Sequence, residues 1–254
     1  MTPRAGFTFG TKNPAWPKKV EPYLDALRYS GLEPVLLLPG DDRNGLEAFV
    51  IGGGTDIDPA RYGDARAPET EDPDAPRDQL ESAVLQAALA RNLPVLAICR
   101  GLQMFHVVHG GKLAQHIEGH TQPGVHDAHE VTVAPETQLH RITGANGFAV
   151  NSRHHQGVIP APASQNATVG ANAIATPASQ NATATAPAIA MPASLIISAR
   201  AQDGTIEALE RADLHFAIAV QWHPEDRVRT SDADRRLFQA FAAACRSAHR
   251  ATCR

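Results

Sequence analysis

Short apolar runs alternate with amphipathic stretches along the first half of the chain. Residues 34–38, 48–51 and 95–98 are almost wholly apolar, which is typical of strands that a parallel sheet buries on both faces. Residues 20–30, 78–91 and 102–108 carry apolar side chains at helical spacing, and residues 5–9 predict a first strand. Strands that alternate with helices predict an α/β fold of three layers, with helices on both faces of a mostly parallel central sheet.

The second half of the chain is richer in predicted strands. Asp203 and Gly204 separate residues 195–201 from residues 205–209, and this dipeptide is typical of hairpin turns. Further strands are predicted at 130–133, 148–150 and 216–222. Ser231 can cap a final helix that runs to about residue 249. The length of 254 residues is consistent with the single domain, 1–254, that we predict.

Residues 160–192 depart from this pattern. They are mainly Ala, Pro, Ser, Thr, Asn and Gln, and PASQNAT occurs twice, starting at Pro162 and Pro177. Proline interrupts helices and strands, and the small side chains bury too little apolar area to offset the entropy of ordering. We therefore predict a disordered surface insertion within the domain. The alternative is a lid or an arm that contacts a partner.

Composition and charge argue against several classes of protein. A net charge of -4 and a pI near 6.3 argue against a broad electrostatic contact with nucleic acid or an anionic membrane. The three cysteines form no disulfide framework, and no apolar run is long enough for a signal peptide or a membrane span. We expect a cytoplasmic protein. A homodimer is compatible with the sequence, which does not determine the oligomeric state.

Cys99 ends the apolar strand at 95–98 and begins the next predicted helix. This position is at the carboxyl edge of the sheet, where open α/β folds bind their ligands. The helix N-terminus favours a thiolate, Arg100 adds positive charge nearby, and Gly101 leaves room for a substrate. The sequence thus predicts a nucleophile, although an inert core cysteine is the alternative.

His223 and Glu225 follow another strand in AVQWHPE. In an extended segment, residues two apart point to the same side, so Glu225 is placed to orient His223. A cysteine nucleophile needs such a base, and the base needs an orienting group. Taken alone, a histidine at this position is more often a surface histidine at a strand end.

Two other motifs carry polar or flexible groups after strands. IGGGTDIDP, residues 51–59, presents backbone N–H groups that suit an oxyanion hole, although a plain glycine-rich turn has the same sequence. VNSRHHQG, residues 150–157, carries donors that suit a polar substrate, and a purely structural role is an even alternative. His116, His120, His126 and His129 also lie close in sequence, but no ligand motif accompanies them, so we predict no metal site.

Together, IGGGTDIDP, PVLAICRGLQ, VNSRHHQ and AVQWHPE resemble the class I glutamine amidotransferase superfamily. The resemblance extends from about residue 5 to residue 245. It is strongest to the free-standing γ-glutamyl hydrolase branch, peptidase C26, and within it to the γ-glutamyl-γ-aminobutyrate hydrolase type of putrescine breakdown. The resemblance implies a flavodoxin-like fold, a small-molecule γ-glutamyl substrate and no cofactor.

The resemblance also implies a role for particular residues. Cys99 resembles the nucleophile, His223 the base that activates it, and Glu225 the residue that orients the base. The backbone N–H groups of Gly53 and Arg100 resemble the oxyanion hole.

Four further residues resemble the substrate-binding groups of the family. Gln103 resembles the residue that binds the glutamyl part, and His154, His155 and Gln156 are expected to line the same pocket. Two alternative functions remain open: a glutaminase subunit that supplies ammonia to a separate synthetase, and a catalytically silent binding module.

Overall fold

A computed structural model describes residues 2–10, 16–159 and 195–252 of the chain. The insertion predicted at 160–192 lies outside the described residues, as does Cys253.

Within the described residues, strands and helices follow one another as the apolar pattern predicts. The strands are β1 (Arg4–Thr8), β2 (Glu33–Leu37), β3 (Ala48–Ile51), β4 (Val95–Ile98), β5 (His129–Val133), β6 (Gly147–Val150), β7 (Ile196–Ala201), β8 (Ile206–Glu210) and β9 (Ala217–Val220). The helices are α1 (Trp16–Tyr29), α2 (Ala75–Ala90), α3 (Arg100–Val108), α4 (Gln138–Thr143) and α5 (Asp232–Thr252). Two short 3₁₀ turns span Pro59–Tyr62 and Pro224–Asp226.

All nine strands form one sheet in the order β2-β1-β3-β4-β9-β8-β7-β5-β6. The first five strands in this order are mutually parallel. From β9 outward every pair is antiparallel, and β7 and β8 form the hairpin predicted around Asp203-Gly204. The parallel half of the sheet is the half predicted from alternating strands and helices.

Helices cover both faces of the sheet. Helices α1 and α5 pack on one face, where Leu27 and Phe241 belong to the same buried cluster as Val50. Helices α2 and α3 pack on the other, where Leu85 and Phe105 join the cluster that contains Ile51. Val50 and Ile51 are neighbours in β3, and their side chains pack into the cores on opposite faces of the sheet, because successive residues of a strand point to opposite sides. The predicted three-layer α/β fold is confirmed.

Helix α4 and the two 3₁₀ turns are absent from the sequence prediction. They span only three to six residues, too few to produce a recognisable apolar period. In the part of the chain that the structure describes, no helix has the length and hydropathy needed to cross a membrane.

Candidate active site

Cys99 lies at a sharp elbow between β4 and α3. Its backbone has φ 55° and ψ −107°, a conformation that residues with a side chain rarely adopt. Its N–H donates to the carbonyl of Val220 over 2.7 Å, so the strained residue is still tied to β9. The elbow turns the thiol toward the carboxyl edge of the parallel strands, as the sequence predicts.

Gly101 makes this elbow sterically feasible. A Cβ atom at this position would lie 2.2 Å from the carbonyl oxygen of Ile51, far inside van der Waals contact. The first turn of α3 therefore packs directly on the backbone at the end of β3, and only glycine allows that approach.

His223 and Glu225 form the relay predicted beside the thiol. The Nδ1 atom of His223 lies 2.6 Å from Oε1 of Glu225. The segment is a 3₁₀ turn at Pro224–Asp226, not the extended segment that we predicted, because Pro224 has the backbone angle of a first helical turn. Asn151 holds the backbone of His223 from both sides: its Oδ1 accepts from the His223 N–H over 2.8 Å, and its Nδ2 donates to the carbonyl over 3.1 Å.

The surroundings of His223 favour its protonated form. Burial alone lowers the pKa of this imidazole, but the Glu225 carboxylate and the Cys99 side chain outweigh that effect and raise the pKa to about 10. His223 can therefore hold a proton at neutral pH and deliver it to a leaving group.

The loop after β3 is held by Tyr23 and Arg77. The Gly53 N–H donates to the Tyr23 hydroxyl over 3.1 Å, and that hydroxyl lies 3.2 Å from Nδ1 of His223. The guanidinium of Arg77 donates to the carbonyls of Gly52 and Gly53 over 2.8 and 2.9 Å. The Gly53 N–H, which is the donor expected in an oxyanion hole, is thus bonded to the Tyr23 hydroxyl in this structure. That hydroxyl would have to move away before the N–H could bind a substrate oxyanion.

The Arg100 side chain does not serve the thiol, contrary to the sequence prediction. It turns into the core, where it pairs with the buried carboxylates of Asp78 and Glu81 and donates to the carbonyl of Thr55 over 2.7 Å. These two carboxylates neutralise the charge of the guanidinium, because a buried guanidinium requires buried partners. That charge is therefore not available to the Cys99 thiol. The backbone N–H of Arg100, at the first position of α3, has no acceptor within the helix, as an oxyanion-hole donor requires.

A cavity of about 540 Å³ opens beside Cys99 and His223. The predicted substrate-binding residues Gln103, His154, His155 and Gln156 all line it. Both side-chain atoms of the Gln156 amide are buried without a hydrogen-bond partner among the described residues. A buried amide in that condition is suited to a polar substrate.

The other three residues are already engaged. Gln103 donates from Nε2 to the Gln156 carbonyl over 3.0 Å. His155 lies 3.2 Å from a carboxylate oxygen of Asp56. His154 hydrogen-bonds the Gln156 carbonyl through Nδ1 over 3.0 Å, so its ring supports the loop.

Sequence reasoning missed several residues that line this cavity, and three of them contact the predicted site residues. Tyr23 and Arg77 belong to helices whose apolar pattern gave no sign of a role at the sheet edge. Arg153 lies within VNSRHHQG and forms a 2.7 Å ion pair with Asp226, next to Glu225. Only the assembled sheet reveals these neighbours, because they are far from Cys99 in sequence.

One group of side chains is close enough to hold a metal ion within the described ranges. The ligand atoms of His120, His129 and Glu207 all lie within 4.8 Å of one another. None of these three residues lines the cavity beside Cys99.

Several known proteins are similar to this chain in sequence or in fold. The model of the family described as Peptidase C26 matches residues 18–225. A Mycobacterium tuberculosis protein named "Putative glutamine amidotransferase Rv2859c" is 35% identical over 234 residues, which make up 86% of this chain and 65% of that protein. The chain thus spans just under two thirds of that relative's length.

Two further proteins are similar over most of their length. The Escherichia coli gamma-glutamyl-gamma-aminobutyrate hydrolase PuuD is 30% identical over 252 residues, 89% of this chain and 85% of the hydrolase. A glutamine amidotransferase from Thermotoga maritima, known from its crystal structure, has a TM-score of 0.56 at 12% identity, and the match covers 99% of this chain and 98% of that one. The structural likeness concerns the fold alone.

Proposed function

Because the chain belongs to the Peptidase C26 family, we propose that it is a cysteine-dependent hydrolase that cleaves a γ-glutamyl amide. The observation that carries this proposal is the strained Cys99 elbow beside the hydrogen-bonded His223–Glu225 pair. Strain of this kind, about 1–3 kcal/mol, persists where the surrounding structure imposes it, and it is concentrated at active sites.

In the first half of the proposed reaction, the Cys99 sulfur attacks the γ-carbonyl carbon of the substrate after its proton passes to His223. The resulting oxyanion accepts from the backbone N–H groups of Gly53 and Arg100. His223 then gives its proton to the amine nitrogen, and the carbon–nitrogen bond breaks. A γ-glutamyl thioester on Cys99 and a free amine result.

In the second half, His223 removes a proton from water, and the hydroxide attacks the thioester carbonyl. The carbon–sulfur bond breaks, the thiolate takes back a proton from His223, and glutamate leaves. Glu225 holds the imidazole in one orientation through both halves. The chemistry is complete with these side chains and water, and the proposal includes no cofactor.

For the substrate we propose γ-glutamyl-γ-aminobutyrate, which would give glutamate and γ-aminobutyrate. The name of the PuuD relative supports this choice. The cavity also carries cations that suit a carboxylate on the leaving amine, since Lys18, Lys19 and Arg153 line it. In a putrescine-degrading cell this reaction would take place in the cytoplasm.

The test is glutamate release from γ-glutamyl-γ-aminobutyrate, a γ-glutamyl polyamine and glutamine. We expect Cys99→Ala to lower kcat by at least about 10³-fold, because the nucleophile is lost. Cys245→Ala is the matched control: Cys245 is buried in α5, and burial raises the pKa of its thiol well above the usual range. It should retain the wild-type kcat.

The preferred substrate separates the remaining alternatives. Turnover of glutamine that rises only with an added synthetase would favour the glutaminase subunit, which the name of the M. tuberculosis relative also suggests. Undiminished turnover in Cys99→Ala would refute the cysteine mechanism. Folded wild-type protein that cleaves none of the three compounds would favour the silent module.

A further inference from the structure

Three imidazole rings surround one buried carboxylate on the antiparallel side of the sheet. Oε1 of Glu207 lies 3.4 Å from Nδ1 of His120, 3.2 Å from Nε2 of His129 and 3.6 Å from Nε2 of His154. The four residues come from separate parts of the chain: the segment after α3, strand β5, the segment after β6, and strand β8. Glu207 has no exposed surface.

The outer nitrogens of two rings are already bonded. Nδ1 of His154 lies 3.0 Å from the carbonyl of Gln156, which can only accept, so this nitrogen carries a proton. Nε2 of His120 lies 2.9 Å from a carboxylate oxygen of Asp203, which fixes a proton there in the same way. In a neutral imidazole the inner nitrogen then carries a lone pair, and both lone pairs face Glu207.

The inner contacts do not have the geometry of hydrogen bonds. The three inner nitrogens and both oxygens of Glu207 are buried and lack a hydrogen-bond partner within the described residues. The ligand atoms of His120, His129 and Glu207 all lie within 4.8 Å of one another, close enough for one ion to contact all three, whereas His154 falls outside that group. Ligand atoms of a tetrahedral Zn²⁺ site, at about 2.0–2.1 Å from the metal, stand about 3.3–3.4 Å apart.

We propose that His120, His129 and Glu207 bind one divalent transition metal ion, for which Zn²⁺ is the best fit. Imidazole nitrogens and carboxylate oxygens are ligands that Zn²⁺ takes in proteins. Asp203 is the outer partner that holds the metal-bound His120 in orientation. One cation between the three groups removes the repulsion between lone pairs and carboxylate.

The ion would lie outside the cavity beside Cys99, because none of its three ligands lines that cavity. Three protein ligands leave one position of a tetrahedral Zn²⁺ ion for water. The metal would fix the segment after α3 to strands β5 and β8. His154, whose ring packs beside His120, belongs to the loop that carries Gln156 and would contact the site without binding the ion.

The alternative is that protons replace the metal. Burial alone lowers the pKa of His120, but the carboxylates of Asp203 and Glu207 outweigh it and raise the pKa to about 9. In that case a protonated His120 would pair with the carboxylates of Asp203 and Glu207, and the cluster would not bind a metal ion.

Tag-free protein, stripped with a chelator and dialysed, is titrated with Co²⁺ and then with Zn²⁺. We expect one equivalent of Co²⁺ to produce the visible absorption of a tetrahedral centre, one equivalent of Zn²⁺ to abolish it, and Zn²⁺ to raise Tm. Elemental analysis of the unstripped protein should find one metal per chain. A wild type that shows none of these would overturn the proposal.

Single substitutions test which residues bind the metal ion. His129→Ala should lose the Co²⁺ spectrum, and His116→Ala, an exposed histidine in the same segment as His120, should keep it. Asp203→Asn changes a half-exposed outer partner and should weaken Zn²⁺ binding by about 10–100-fold without affecting folding. A spectrum that survives in folded His129→Ala, or is lost in His116→Ala, would place the metal elsewhere and refute the assignment.

Discussion

At the residue scale, the backbone of Cys99 is as informative as its thiol. In ordinary turns a positive φ is usually adopted by glycine or asparagine, which take it at little steric cost. Here the fold keeps a cysteine at φ 55° and secures it through the 2.7 Å bond to Val220. Strand β4 before the elbow, helix α3 after it and the bond to β9 together impose this strained conformation.

This strain predicts an unusual order of stabilities. Cys99→Gly should unfold with a free energy about 1 kcal/mol higher than Cys99→Ala, because glycine adopts the elbow conformation without steric cost. Ala97→Gly, two residues earlier within β4, is the control and should be destabilising. Urea denaturation of the three variants measures the difference. A Cys99→Gly variant less stable than Cys99→Ala would show that the elbow is unstrained.

A second prediction concerns the proton on His223. Glu225→Gln removes the carboxylate that raises the pKa of His223, so this pKa should fall from about 10, by at least about one unit. The imidazolium would then be lost at a lower pH than in the wild type. NMR titration of the His223 ring measures the change directly. Arg66→Gln serves as control because Arg66 does not line the cavity. An unchanged midpoint in Glu225→Gln would contradict the role given to Glu225.

At the element scale, α2 holds the loop after β3 in place through buried charges. Nε of Arg77 lies 2.7 Å from Glu81, while its outer nitrogen reaches the carbonyls of Gly52 and Gly53. Burial alone raises the pKa of Glu81, but Arg100 and Arg77 outweigh it and lower the pKa. The carboxylate therefore stays ionised between the two guanidinium groups.

Breaking this arrangement should be costly. Arg77→Met keeps the volume but leaves two carbonyls and part of the Glu81 carboxylate unpaired, so we expect a loss of about 3–5 kcal/mol in unfolding free energy. Arg28→Met is the matched control, since Arg28 also pairs with a glutamate but is half-exposed. Its loss should be much smaller, because an ion pair in contact with solvent contributes little to stability. Equal losses of unfolding free energy in the two variants would show that the buried ion pair of Arg77 stabilises the fold no more than the exposed pair of Arg28.

The elements differ in how far the sequence predicts them. Runs such as residues 48–51 and 95–98 match β3 and β4 at both ends, because a strand buried on both faces is apolar throughout. The turn that carries Glu225 was predicted as extended, since a three-residue 3₁₀ turn has no periodic signature. The contacts of Tyr23 and Arg77 depend on packing between distant segments, which periodicity does not encode.

At the scale of the whole molecule, the cavity lies at the edge where the parallel strands end. Cys99 follows β4 and His223 follows β9, and these two strands are hydrogen-bonded neighbours. The segment after β6 closes the cavity from the antiparallel side. The single domain and the homodimer stay predictions, the latter measurable by light scattering.

The sheet also predicts a gradient of local stability. Strands β3, β4, β9 and β8 are adjacent in the sheet and buried at every residue, whereas the edge strands β2 and β6 are partly exposed. Amide protons of these four central strands should therefore exchange slowest, and those of β2 and β6 fastest among the strands. Hydrogen exchange followed by mass spectrometry measures this order. Edge strands as protected as the centre would contradict it.

The pairing of β4 with β9 has a consequence for a chain that is still being synthesised. The two strands are adjacent in the sheet, yet the ribosome makes the proposed nucleophile, residue 99, long before the proposed base, residue 223. A nascent chain that ends before β9 holds the cysteine without the histidine. On the proposed mechanism, the thiol therefore has no base until β9 has joined the sheet, and a chain terminated before β9 would not turn over substrate.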